Sequence, residues 1–174
     1  MLDIIKLGDE ILREKCVEVT KFDDSLRMLV EAMIETLDEA EGVGLAGPQV
    51  GVTQRLFVVH LPDEEPRVFI NPEIIETSLE TNPYEEGCLS IPGLFHDVVR
   101  PSRVTVQARD VKGKPFTIKA SGLLARVIQH ENDHLDGIMY IDHLSDTERE
   151  KIERAYERRN KTAQLLKRNP KKRK

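Results

Sequence analysis

The stretch Gly122-Leu123-Leu124-Ala125-Arg126-Val127-Ile128-Gln129-His130-Glu131-Asn132-Asp133-His134-Leu135 organises the reading of the whole chain. Leu123, Leu124, Val127, Ile128 and Leu135 recur at helical spacing and predict a helix buried on that side. Asp136-Gly137 supplies its stop. His130 and His134 stand four residues apart, so the helix brings both imidazoles to one face, about one turn apart, within reach of one metal ion. Such an ion lowers the pKa of a bound water to roughly 7. Glu131 follows the first His, where its carboxylate can take a proton from that water without being a ligand.

Working outward, Leu26, Leu29, Val30, Met33, Ile34 and Leu37 form one apolar stripe and predict a helix over about Ser25 to Glu41. Asp23 or Asp24 caps its start and Gly42 ends it. The run from Gly42 to Gly51 is too glycine-rich for an ordinary helix or strand. Arg55 to Leu61, Val68 to Ile70 and Glu73 to Ser78 read as strands, with Asn71-Pro72 as a turn between the last two. Val98-Val99, Val104 to Ala108 and Pro115 to Lys119 read as further strands, the last two joined by a hairpin over Asp110 to Lys114. Ser145-Asp146-Thr147-Glu148 has the form of a capping box and opens a third helix that reaches about Leu166. No internal repeat or linker divides the chain. Without regular βαβ alternation, the pattern predicts an α+β fold. Its antiparallel strands pack around a central metal-binding helix, with an N-terminal and a C-terminal helix. Residues 1–174 form a single catalytic domain with a basic, flexible tail at about 167–174.

With 174 residues, 39% hydrophobic and 33% charged, the composition is that of a soluble globular domain. No apolar run approaches the roughly 20 residues that span a bilayer, so no membrane partner is expected. Met1 to Gly8 shows no signal pattern, and the expected compartment is the cytoplasm. There a disulfide between Cys16 and Cys88 is disfavoured. Cys16 reads as a small buried hydrophobe. Nine of the 26 basic residues fall between Arg158 and Lys174, a stretch without Asp or Glu, leaving 17 against 31 acidic residues. A basic end on an acidic body suits an anionic partner such as RNA. His60, His96 and His143 have no ligand spacing and read as ordinary polar residues.

A hydrolytic metal site takes three protein ligands and keeps one position open. One candidate for the third is a Glu beyond His134, namely Glu150, Glu153 or Glu157, as in zinc proteases. The other is Cys88 in the loop Glu86-Gly87-Cys88-Leu89-Ser90, whose thiolate suits a soft or borderline metal. Pro92-Gly93 ends that loop. Gln49, at the end of the glycine-rich run, offers an amide donor of the kind a tetrahedral oxyanion needs.

Three segments in this order, Gly42-Val43-Gly44-Leu45-Ala46-Gly47-Pro48-Gln49, Glu86-Gly87-Cys88-Leu89-Ser90 and Gln129-His130-Glu131-Asn132-Asp133-His134, resemble the signature motifs of peptide deformylase. The likeness spans nearly the whole chain. It implies removal of the formyl group from N-formylmethionine on nascent polypeptides, with release of formate. It further implies Cys88, His130 and His134 as ligands of one divalent ion. Fe2+ is the usual cellular form, though Zn2+, Ni2+ or Co2+ can occupy such sites. Glu131 becomes the general acid/base, and Gln49 with the backbone N–H of Leu89 the oxyanion donors. Val43, Gly44, Leu123, Arg126 and Val127 fall in the substrate groove and methionine pocket. The C-terminal helix resembles that of the bacterial subclass in which it docks on the ribosome; no DNA partner is implied. The chain departs from the family in two places. Gly47 replaces the second residue of an Ala-Ala pair, and Phe95 stands where a peptide-contacting Arg is common, leaving Arg100 as a candidate substitute. Two other readings compete: a zinc endopeptidase with a C-terminal Glu ligand, and a non-catalytic ribosome-binding module.

Overall fold

Asp23 opens the first helix, α1 (Asp24–Glu39), by accepting from the Leu26 N–H at 3.1 Å, a side-chain cap on an otherwise unpaired donor. Leu26, Val30, Met33 and Leu37 are its buried stripe. The helix ends differently from expectation. Glu41, not Gly42, takes the left-handed position, with φ 56°, while the Gly42 N–H returns to the Leu37 carbonyl. The computed structural model describes residues 1–168.

Five strands, β1 (Gly44–Ala46), β2 (Leu56–Val59), β3 (Arg67–Thr77), β6 (Arg103–Arg109) and β7 (Pro115–Ser121), form an antiparallel sheet in the order β1-β2-β3-β6-β7. Side chains alternate across such a sheet. Leu45, Leu56, Val58 and Ile70 therefore meet α1 on one face. Ala46, Phe57, Val59, Phe69, Val104 and Val106 meet the central helix α2 (Gly122–Leu135), through Ala125, Ile128 and Leu135, on the other. Burial on both faces explains why β2 is apolar without interruption. Each fully buried side chain of this size contributes roughly 1.5–3 kcal/mol. Phe57 and Phe69 add a stacked pair with ring centroids 4.8 Å apart. Cys16 lies buried in the same core, free of any disulfide, and burial pushes its thiol up to about 11.

Asn71-Pro72 is not a turn. It is an irregularity inside the continuous strand β3, where the register to β6 shifts between Ile70 and Glu73. Asn71 tolerates φ 50° because its amide grips Val19, accepting from the N–H at 2.8 Å and donating to the carbonyl at 2.9 Å. A second correction concerns residues 81–101. The segment read as a loop with a short strand is a long hairpin, β4 (Thr81–Cys88) and β5 (Ile91–Pro101), apart from the main sheet. Cys88 is thus the last residue of a strand, and Pro92-Gly93 lies within β5 rather than ending the segment.

The last helix, α3 (Asp146–Arg168), begins as expected, the Glu148 N–H donating to Ser145 Oγ. It includes Lys167 and Arg168, the first two residues of the expected tail; residues 169–174 lie outside the described ones. Among the described residues no helix is long and apolar enough to cross a membrane.

Candidate metal centre and active site

Three elements meet at the site. Helix α2 presents His130, Glu131 and His134. Strand β4 ends at Cys88, and the short 3-10 turn Gly47–Val50 carries Gln49. Ligand atoms of Cys88, His130 and His134 all lie within 4.8 Å of one another. Cys88 Sγ is 3.4 Å from His134 Nε2, and the two imidazole centroids are 5.1 Å apart, edge to face. His130 uses Nδ1 on Glu86 Oε1 at 2.8 Å, which leaves Nε2 as its free lone-pair donor. One thiolate and two imidazoles make a borderline-soft set of three, which fits a single divalent transition-metal ion with a position left open. Among the described residues this is the one such cluster. None of Glu150, Glu153 and Glu157 belongs to it; Glu150 pairs with Arg154, and Glu153 lies 3.8 Å from Arg149 on α3. The endopeptidase reading therefore lacks its ligand.

Glu131 is almost fully buried, with Oε1 3.9 Å from His130 Nε2. Burial pushes its carboxyl up to about 7, a value that a cation bound beside it would lower. The side chain fits because β1 brings Gly44 against it: a Cβ there would sit 2.5 Å from Glu131 Oε1 and 2.8 Å from Val127 Cγ1. Gln49 is buried and held at both ends of its amide. Its Oε1 accepts from the Ala46 N–H at 2.9 Å, and Nε2 donates to Ser90 Oγ at 3.1 Å while lying 3.5 Å from Cys88 Sγ. Ser90 Oγ in turn donates to the Ile5 carbonyl. Leu89 follows Cys88 in the turn between β4 and β5.

Cys88, His130, Glu131 and Gln49 border a cavity of about 390 Å³, with His134 fully buried outside its lining. Val43, Gly44, Leu123, Arg126 and Val127 all line it, together with Gln49, Cys88, Leu89, His130 and Glu131. Phe95 stands at its edge, 59% exposed. Arg126 borders the cavity, but its guanidinium is committed elsewhere. It donates to Glu86 Oε2 at 2.9 Å, to the Val98 carbonyl at 2.8 Å and to the Asn82 carbonyl at 2.8 Å.

Arg100 does not replace a peptide-contacting Arg. It is buried behind the site, holding both Glu86 oxygens at 2.7 and 3.0 Å and Asp133 at 2.8 Å. Glu86 is the residue that sequence reasoning missed. It joins two arginines to His130 and stays ionised: burial raises its pKa, but the bonds to His130 and Arg100 outweigh this and hold it at about 2. One signal for it exists, since Arg126 and His130 are four apart on α2 and share a face. Of the remaining histidines, His60 pairs with Asp38 and His96 with Glu148. His143 is less ordinary than expected; through Asp133 and Arg100 it joins the Glu86 network.

Comparison with known proteins agrees with this geometry. A peptide deformylase of Picosynechococcus is 50% identical over 149 residues, covering 83% of this chain and 80% of the relative. A crystal structure of a peptide deformylase from Legionella pneumophila superposes with a TM-score of 0.89 at 42% identity, over 98% of this chain and 99% of that one. The Synechococcus elongatus peptide deformylase, solved in complex with actinonin, gives 0.85 at 40% identity over 91% and 88%. The family model for polypeptide deformylase matches residues 1–150, and this chain belongs to that enzyme family.

Proposed function

We propose that this protein removes the N-formyl group from the formylmethionine of newly made polypeptides. The observation that carries the reading is the Cys88, His130 and His134 donor cluster, two of whose members, Cys88 and His130, line one cavity with Glu131 and Gln49. A divalent cation held there, Fe2+ in the cell with Zn2+, Ni2+ or Co2+ as alternatives, supplies Lewis acidity and lowers the pKa of water.

The chain's own residues do the rest. Val43, Leu123 and Val127 offer the methionine thioether an apolar wall. Gln49 Nε2 and the Leu89 N–H donate to the oxygen of the formyl carbon as it becomes tetrahedral. Ser90 and Ala46 hold the Gln49 amide in place beforehand. Glu131 takes a proton from the attacking water and passes it to the amine nitrogen as the C–N bond breaks. The products are formate and a free amino terminus.

Loaded anaerobically with one equivalent of Fe2+, the protein is expected to release one formate per formyl-Met-Ala-Ser consumed. Cys88→Ser is expected to lose its metal. No formate from the loaded protein, or full metal and activity in Cys88→Ser, would overturn the assignment. Gly44→Ala is expected to lower kcat/KM about 10- to 100-fold with the fold intact, because the added methyl displaces Glu131. Wild-type turnover in that variant would show that Glu131 tolerates the shift.

The basic end of α3 supports ribosome docking. Binding to ribosomes should weaken as salt rises and on deletion of Arg158 to Lys174. Unchanged binding by the truncated protein would refute this.

A further inference from the structure

Arg159 projects from α3 to a wall of the cavity. Glu148, Ile152, Tyr156 and Arg159 recur at i, i+4, i+8 and i+11, one face of the helix. Ile152 and Tyr156 pack on the core beside β5. Glu148 pairs with His96 of β5 at 3.2 Å, and Arg159 Nη1 donates to the Gly93 carbonyl at 2.7 Å. Tyr140 Oη donates to the next carbonyl, that of Leu94, at 3.0 Å. Neither Arg159 nor Tyr140 lines the cavity, whereas Pro92, Gly93 and Phe95 do. The two consecutive carbonyls are therefore held from behind the wall.

The wall needs this support at Gly93. The residue has φ 77° and no side chain of its own to anchor it. A guanidinium on its carbonyl fixes the tilt of the peptide plane more firmly than a neutral donor would. Two residues on, the Phe95 ring lies over Gly87, its cross-strand partner, so closely that a Cβ on Gly87 would meet Phe95 Cε1 at 2.5 Å. Gly87 immediately precedes Cys88. Arg159 lies outside residues 1–150 of the family match, so this brace comes from a part of the chain that the family match does not include.

We propose that Arg159 is a positioning residue for the substrate: by pinning Gly93 it sets the Pro92–Phe95 wall against which the peptide beyond the methionine lies. This rests on the deformylase reading above. Arg159 touches neither Glu131 nor Gln49, so its loss acts on KM and spares kcat.

The test compares Arg159→Ala, Arg159→Lys and the control Arg154→Ala, an exposed cation on the same helix outside the basic end. Each is assayed on formyl-Met-Ala-Ser and on formyl-methionine amide, and amide hydrogen exchange is followed over Gly93–Phe95. Arg159→Ala should raise KM for the tripeptide about three- to tenfold, the size of one such hydrogen bond, with kcat within twofold. KM for the amide should be unchanged, and exchange over Gly93–Phe95 should quicken. Arg159→Lys should recover part of the KM, and Arg154→Ala should match wild type. Unchanged KM and exchange in Arg159→Ala would overturn the proposal, as would an equal KM rise in Arg154→Ala. A fall in kcat alone would also overturn it. If the unaltered protein released no formate, the deformylase reading would fail instead, and the exchange rates would still decide whether Arg159 holds the wall.

Discussion

Glu131→Gln is expected to lower formate release by about 10²- to 10⁴-fold, the range for loss of a positioned acid–base group, while the metal content stays at the wild-type level. Gln keeps the shape of the side chain in the space beside Gly44 but cannot accept and return a proton. The metal should remain because Glu131 is not one of the three clustered donors. Steady-state formate release, paired with metal analysis of the same sample, separates the two effects. Turnover within tenfold of wild type would remove Glu131 from the proton path. Loss of metal together with activity would show that it supports the ion rather than the chemistry.

The second large effect is expected at Glu86. Its two oxygens serve Arg100, Arg126 and His130, all buried. Glu86→Ala leaves two guanidinium groups in the interior with their shared counter-charge gone, a loss that typically costs about 3–5 kcal/mol. The His130 ring also loses the acceptor that fixes its tautomer, so metal affinity should fall about 10- to 100-fold. The pH dependence has a definite sign. Glu86 is held at about 2 against an ordinary value of 4.5. Its contribution is therefore complete above the ordinary carboxylate range and is lost as pH falls towards 2. Urea midpoints should differ widely between wild type and Glu86→Ala at pH 7, and the gap should narrow at pH 3. A difference below about 1 kcal/mol at pH 7 would show that the arginines find other partners.

What the sequence made legible is what local rules govern. The three helices follow from apolar spacing and from caps at Asp23 and Ser145. The His130–His134 pair follows from the helical repeat. Cys88 and Gln49 could be placed because their motifs, in order, resemble one family. The hairpin β4–β5 was hidden for a physical reason. Pro92-Gly93 reads as the end of a loop, and a two-stranded ribbon beside the sheet lacks the regular apolar alternation of a core strand. The Glu86 clamp was hidden because its partners lie 14, 40 and 44 residues away, beyond any local pattern. Arg100 was misread for the same reason, an arginine being as suited to a substrate carbonyl as to a buried carboxylate. Asn71-Pro72 looked like a turn because the contact that keeps it within a strand reaches back to Val19.

The clamp through Glu86 has a consequence for supply and exchange. It ties hairpin and helix together through side chains of the protein with no metal ion among the partners, so the strand and the helix that carry the three donors are joined by the fold itself. Small zinc domains gain their structure when the ion arrives. Here the bonds of Glu86 to Arg100, Arg126 and His130 join the elements around the site without drawing on the ion. Emptying and refilling the site should therefore leave the scaffold folded.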